Sequence, residues 1–184
     1  MKKDFACVVI GAAIACTIPM LAFSAGTSST VGAVRTVDLS RYVGRWYEIA
    51  KFPNSFQKQC VSNTTADYRI LPENTIEVVN RCKMASGEID LAVGEARVVD
   101  KASNAKLEVR FAPSWLSWIP WVWGDYWILE LDEAYSVVTV GTPNRDYLWI
   151  LARTPTIPDA EYESRVDNAT KQGFDTSRLV KTRQ

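Results

Sequence analysis

The stretch Gly44-Arg45-Trp46-Tyr47-Glu48-Ile49-Ala50 decides how the rest of the chain is read. Glycine takes backbone angles closed to other residues, and a tryptophan two residues later, at the head of an apolar strand, needs a large pocket for its ring. One Gly-x-Trp is common. It acquires meaning if the far end of the chain returns to cover the indole. From Arg41 onward the sequence is a series of short apolar or alternating runs separated by turn residues, the pattern of an all-β barrel or sandwich. Eight strands can be counted, A to H, at about 45–51, 61–71, 75–83, 89–99, 107–111, 126–131, 136–140 and 147–153. Eight is the number at which an antiparallel up-and-down barrel closes around one small ligand.

After strand H the period changes. Thr156 is placed to cap a helix with Pro158 and Asp159 in its first turn, and Gly173 to stop it. Tyr162, Val166 and Ala169 recur at helical spacing, so this helix should pack on the outside of the barrel. If strand A starts at the base, the A–B, C–D, E–F and G–H loops lie at the open end. Strand H then runs down to finish at Arg153, beside Trp46. A guanidinium over an indole contributes roughly 0.5–2 kcal/mol. Cys60 and Cys82 fall abreast at the top of strands B and C, and two cysteines in an exported domain read as a disulfide. Gly94 in strand D reads as a bulge or bend.

Composition narrows the function. The 184 residues suffice for one domain, and 21 basic against 21 acidic side chains leave no electrostatic footprint for nucleic acid. There is no histidine, which removes the usual general base and most metal sites, and no cofactor motif is present. Lys2 and Lys3 precede an apolar run and then small residues, so residues 1–25 read as an export signal cut near Ser24 or Ala25. Residues 26–38 follow as a linker and 39–184 as the barrel domain. Ala13-Ile14-Ala15-Cys16 loosely resembles a lipobox, but Ala13 stands where leucine is usual, so a lipid anchor at Cys16 is the less favoured reading. The mature chain is thus expected in the periplasm or on the periplasmic face of the outer membrane.

Binding residues follow from strand phase. Tyr147, Trp149 and Leu151 share a face with Arg153, and Tyr126, Ile128 and Glu130 form the matching face of strand F; the five apolar or aromatic ones are the candidate ligand wall. Glu130 would then point inward and need a partner near Arg153, since an unpaired buried charge is very costly. The E–F loop holds Trp115, Trp118, Trp121 and Trp123 around Pro120 at the open end. Such a loop is expected to contact membrane lipid, a second copy of the chain or the ligand tail, or else to fold down as a lid.

Three motifs together resemble the lipocalin family, and within it the bacterial outer-membrane lipocalins. Gly44-Arg45-Trp46-Tyr47-Glu48 is similar to the family's opening Gly-x-Trp, Asp132-Glu133-Ala134-Tyr135 to its second motif at the F–G turn, and Arg153 to its third. Gly44, Trp46, Asp132, Tyr135 and Arg153 are accordingly expected at the closed base. The resemblance implies a carrier, without catalysis, of fatty acids or lysophospholipids at the cell envelope. The alternative is a lipocalin-fold enzyme using Cys60 or Cys82 as nucleophile, activated by Lys58, Arg81 or Lys83 in the absence of histidine.

Overall fold

The computed structural model describes residues 30–72 and 75–184. The export signal expected over 1–25 and the alternative anchor at Cys16 lie outside the described residues. Eight antiparallel strands form a closed up-and-down barrel: β1 (Gly44–Lys51), β2 (Cys60–Ile70), β3 (Ile76–Met84), β4 (Ile89–Val98), β5 (Lys106–Arg110), β6 (Gly124–Leu131), β7 (Val137–Gly141) and β8 (Leu148–Ala152). Closure is made by β1, which pairs with β2 through Gly44↔Tyr68 and with β8 through Tyr47↔Ala152. A short helix, α1 (Leu39–Tyr42), precedes the barrel, and α2 (Asp159–Lys171) and a two-residue strand, β9 (Val180–Lys181), follow it.

Two core layers result. Inside, Trp46, Ile76, Val78, Leu107, Ile128, Val138 and Val140 fill the lower barrel. Outside, α2 covers one wall, where Tyr162 and Val166 pack with Ile49, Val137 and Ile150, and Ala169 packs with Leu129, Leu148 and Phe174. This explains why 147–152 is almost continuously apolar: Leu148, Ile150 and Ala152 face the helix side, while Trp149 and Leu151 face the barrel.

Four expectations are corrected. The helix is not capped by Thr156; it begins after Pro158, and no side chain caps it. Gly94 makes no bulge, since β3 and β4 pair without a break, from Ile76↔Ala96 to Lys83↔Ile89. Glycine is needed there for space: a Cβ would lie 2.6 Å from the Arg110 carbonyl and 2.7 Å from the Phe111 ring. The later part of the 26–38 linker is docked. Val37 is buried, and the Val34 and Val37 amides donate to the carbonyls of Ile128 and Ser103 at 2.9 and 2.8 Å.

Glu130 is the fourth. A register shift between Ile128 and Glu130 inserts an extra residue into β6, so Glu130 follows Leu129 outward while Leu131 returns to the inner cluster. Its carboxylate accepts from Asn168 Nδ2 at 2.8 Å and lies 3.3 Å from Arg165 Nη1, both on α2. Among the described residues no hydrogen bond or ion pair joins it to Arg153.

Candidate functional site

The barrel has a filled end and a hollow end. At the filled end Gly44 takes φ +98°, closed to side chains, and a Cβ there would come within 3.3 Å of Arg153 Nη1. The Arg153 guanidinium sits 3.9 Å from the centroid of the Trp46 ring. Its nitrogens donate to the carbonyls of Arg41, Tyr42, Val43, Arg45 and Tyr135 at 2.8–3.2 Å. Trp46 Nε1 donates to the Tyr42 carbonyl at 2.8 Å. One cation thereby satisfies the carbonyl ends of α1 and ties both chain ends of the barrel together.

Asp132 holds the β6–β7 turn, accepting from the Ser136 and Val137 amides at 2.8 and 2.6 Å and from Ser136 Oγ at 2.7 Å. Burial alone would raise its pKa, but these hydrogen bonds outweigh it and hold the carboxyl below its ordinary 3.8. Tyr135 takes φ +59°; its hydroxyl accepts from the Asp38 amide at 2.9 Å, and its ring lies 4.0 Å beneath the Arg41 guanidinium.

The hollow end is a cavity of about 430 Å³. Trp149 and Leu151 line it from β8, Tyr147 from the residue before that strand and Tyr126 from β6, together with Ala66, Tyr68, Val78 and Val109. Ile128 does not reach it. One pleat nearer the base, it is completely buried with Trp46 and Val138, because Tyr126 forms the floor above it. On β2, β3, β6 and β8 the deepest lining residue marks that floor: Tyr68, Val78, Tyr126 and Leu151. Phe56 from the β1–β2 loop lies against Tyr147 and Trp149, with ring centroids 5.5 and 6.4 Å apart. Of the polar lining, Glu48 is buried but held by Lys51, Gln57 and Thr182, whereas Thr64 Oγ1 is buried without a partner.

Sequence reasoning missed Tyr42, Tyr68, Phe56, Phe111 and Thr64. Tyr68 had a signal, since it lies between the charged Asp67 and Arg69 and so falls on the opposite, apolar face of strand B with Ala66. Phe111 also had a signal, sharing its parity in strand E with Leu107 and Val109, whereas Phe56 sits in a loop, where alternation carries no information.

Above the cavity, the β5–β6 loop makes two 3₁₀ turns, Ser114–Leu116 with Trp115 and Pro120–Val122 with Trp121, while Trp118 lies between them and Trp123 follows the second. Trp115, Trp118 and Trp121 are 72%, 77% and 82% exposed, so these three rings do not form a closed lid. Trp123 departs from its neighbours. It is half-buried, 4.1 Å below the Arg97 guanidinium and 5.1 Å from that of Arg110, and Nε1 donates to the Ser117 carbonyl at 2.8 Å. It anchors the loop to the outer wall and presents little surface. Phe56, Ile89 and Leu91 add exposed apolar area near the same end.

Cys60 and Cys82 form a disulfide, with Cα atoms 5.4 Å apart, in a smaller pocket that shares Phe56, Thr64, Asn80 and Phe111 with the cavity. This removes the thiolate on which the enzyme alternative depended. Asp90 lies beside the bond, but the sulfurs are covalently committed and offer no thiolate to a metal. Among the described residues no helix is long and apolar enough to cross a membrane.

Residues 37–184 match the family model for a lipocalin-like domain. Temperature-induced lipocalin-1 of Arabidopsis thaliana is 42% identical over 153 residues, covering 82% of this chain and 81% of that protein. Outer membrane lipoprotein Blc of Vibrio cholerae serotype O1 is 35% identical over 161 residues, covering 86% and 90%. Among solved structures, insecticyanin from the tobacco hornworm Manduca sexta superposes with a TM-score of 0.65 at 18% identity over 84% of each chain, a likeness of fold.

Proposed function

The chain belongs to the lipocalin-like family, and from that membership we propose that it carries a single-chain lipid, a fatty acid or lysophospholipid, at the bacterial cell envelope without transforming it. The observation that carries this reading is the cavity, whose wall is largely aromatic and aliphatic and whose base is filled by the core around Trp46. An acyl chain would lie along Tyr147, Trp149, Leu151 and Tyr126, with its polar head at the open end. The envelope location rests on the likeness to the outer membrane lipoproteins and on the export signal read from the sequence.

The exposed tryptophans complete the proposal. Indole rings favour the boundary between headgroups and acyl chains, so Trp115, Trp118 and Trp121 would rest on a membrane surface while lipid passes into the barrel. Native mass spectrometry of the protein taken from its own envelope tests both the cargo and the subunit number. A retained lipid of fatty-acid or lysophospholipid mass is expected. An empty barrel that also binds neither class in solution would remove the carrier reading. A dimer that buries the three tryptophans would replace the membrane as their partner.

A further inference from the structure

The floor of the cavity poses a proton-counting problem. Tyr126 Oη lies 2.7 Å from Tyr42 Oη and 2.8 Å from Tyr68 Oη, and none of the three hydroxyls has a further partner among the described residues. Each phenol brings one proton. Two hydrogen bonds use two of the three, whichever way they run, so one O–H is always left without an acceptor.

The surplus donor has three places to sit. If Tyr42 donates to Tyr126 and Tyr126 to Tyr68, the free proton is on Tyr68. If both outer hydroxyls donate to Tyr126, it is on Tyr126. Both of these residues line the cavity, whereas Tyr42 does not. Only the reverse relay leaves the proton on Tyr42, buried beside Trp46 with nothing to receive it. An unmade hydrogen bond on a buried donor is costly, so the relay is expected to run toward the cavity and present an O–H to whatever fills it. Burial keeps these groups protonated: it pushes Tyr68 up to about 12, and Tyr42 and Tyr126 well above their ordinary 10.

The acceptor must also be uncharged. A carboxylate at this depth would need a counter-ion. The cavity lining includes Glu48 and Asp125 and, among the described residues, no lysine or arginine. Arg153, at the base, already donates to five carbonyls and covers the Trp46 ring.

We propose that Tyr68 and Tyr126 form a hydrogen-bonding subsite for an uncharged oxygen, a hydroxyl or a carbonyl, on the inner end of a bound single-chain lipid. The subsite rests on the carrier reading and adds to it: the cargo is recognised at both ends, by solvent and rim at the outer one and by the phenols at the inner one.

The test compares 1-tetradecanol, 2-tetradecanone and tetradecane as competitors for a fluorescent fatty acid, on the wild type and on the triple variant Tyr42→Phe/Tyr68→Phe/Tyr126→Phe. Removing all three hydroxyls together keeps the shape and orphans no partner, so the variant should fold with little change in stability. The alcohol and ketone are expected to bind the wild type about tenfold more tightly than the alkane, and the variant no more tightly than it, since their oxygen finds no partner there. An alkane that binds the wild type as well as the alcohol would mean that water keeps the phenols satisfied, and the subsite would not exist. A preference that survives in the variant would place the oxygen elsewhere. Should the variant not fold, the infrared carbonyl band of 2-tetradecanone on the wild type decides, being lower in wavenumber than in dodecane if hydrogen-bonded and unshifted if not. Myristate and a myristoyl lysophospholipid serve as controls. If they bind while the alcohol shows no advantage, only the subsite fails; if nothing binds, the carrier reading falls and takes the subsite with it.

Discussion

The base and the mouth of this barrel are both rich in aromatic side chains, yet they treat them in opposite ways. At the base Trp46 is completely buried, its N–H is bonded and its face is covered by a cation that is itself held by five carbonyls. At the mouth Trp115, Trp118 and Trp121 each leave more than two thirds of their surface in solvent. Trp123 shows that the loop could have been built the first way, since its own ring is covered by Arg97 and its N–H is bonded. The same residue type therefore marks stability at one end and availability at the other. Partnership, rather than identity, separates the two roles.

The comparison can be broken at either end. Trp46→Ala should produce the largest effect, a loss of about 3–5 kcal/mol in urea unfolding, as large core truncations do. Lipid affinity of the folded fraction should stay close to wild type; a variant as stable as wild type that has lost binding would reverse the division of labour. Reducing the disulfide, or replacing both cysteines by serine, releases a loop of 22 residues and should cost about 3 kcal/mol. That loss tests whether the mouth, too, contributes to stability.

The tyrosine floor sharpens the boundary between the ends. Tyr68, raised to about 12 by burial, favours the folded state fully below the ordinary 10, and this contribution disappears as pH climbs from 10 through 12. The share from Tyr68 should reach about 2–3 kcal/mol by pH 12 in alkaline unfolding. Tyr42 and Tyr126, also raised by burial, add to it, and the absorbance of the buried tyrosinates should appear together with the loss of structure. An absorbance rise complete near pH 10 in the folded protein would show that the floor is wet. The smallest change in stability belongs to Trp118→Ser with Trp121→Ser, within about 0.5 kcal/mol of wild type because exposed side chains contribute little. Sedimentation with phosphatidylglycerol vesicles should nevertheless fall several-fold. Unchanged sedimentation would leave the exposed rings without the membrane role.

Strand number, order and helix were legible because each element carries its own period, and the α2 face of Tyr162, Val166 and Ala169 lies against the barrel where helical spacing put it. Phase within a strand was less legible. Glu130 was misplaced because a bulge after Ile128 restarts the alternation, and no residue there announces the inserted position. α1 and the docked stretch around Val37 escaped because they are too short to show a period and take their order from the barrel. Arg165, buried on α2 against Glu130 and Glu161, is a charge whose burial no local spacing reveals. The tyrosine triad joins three separate segments, and no spacing in one sequence encodes such a meeting.

The pairing of Tyr47 with Ala152 has a kinetic side. It joins the first strand of the barrel to the eighth, the most distant in sequence of the barrel's neighbouring strands. Contacts of such long range impose a high loop-closure entropy on the transition state and slow the search. Neighbouring hairpins, by contrast, can zip locally and early. Refolding should accordingly end in a late step in which Arg153 arrives over Trp46, and the emission of that buried indole is the natural clock for it.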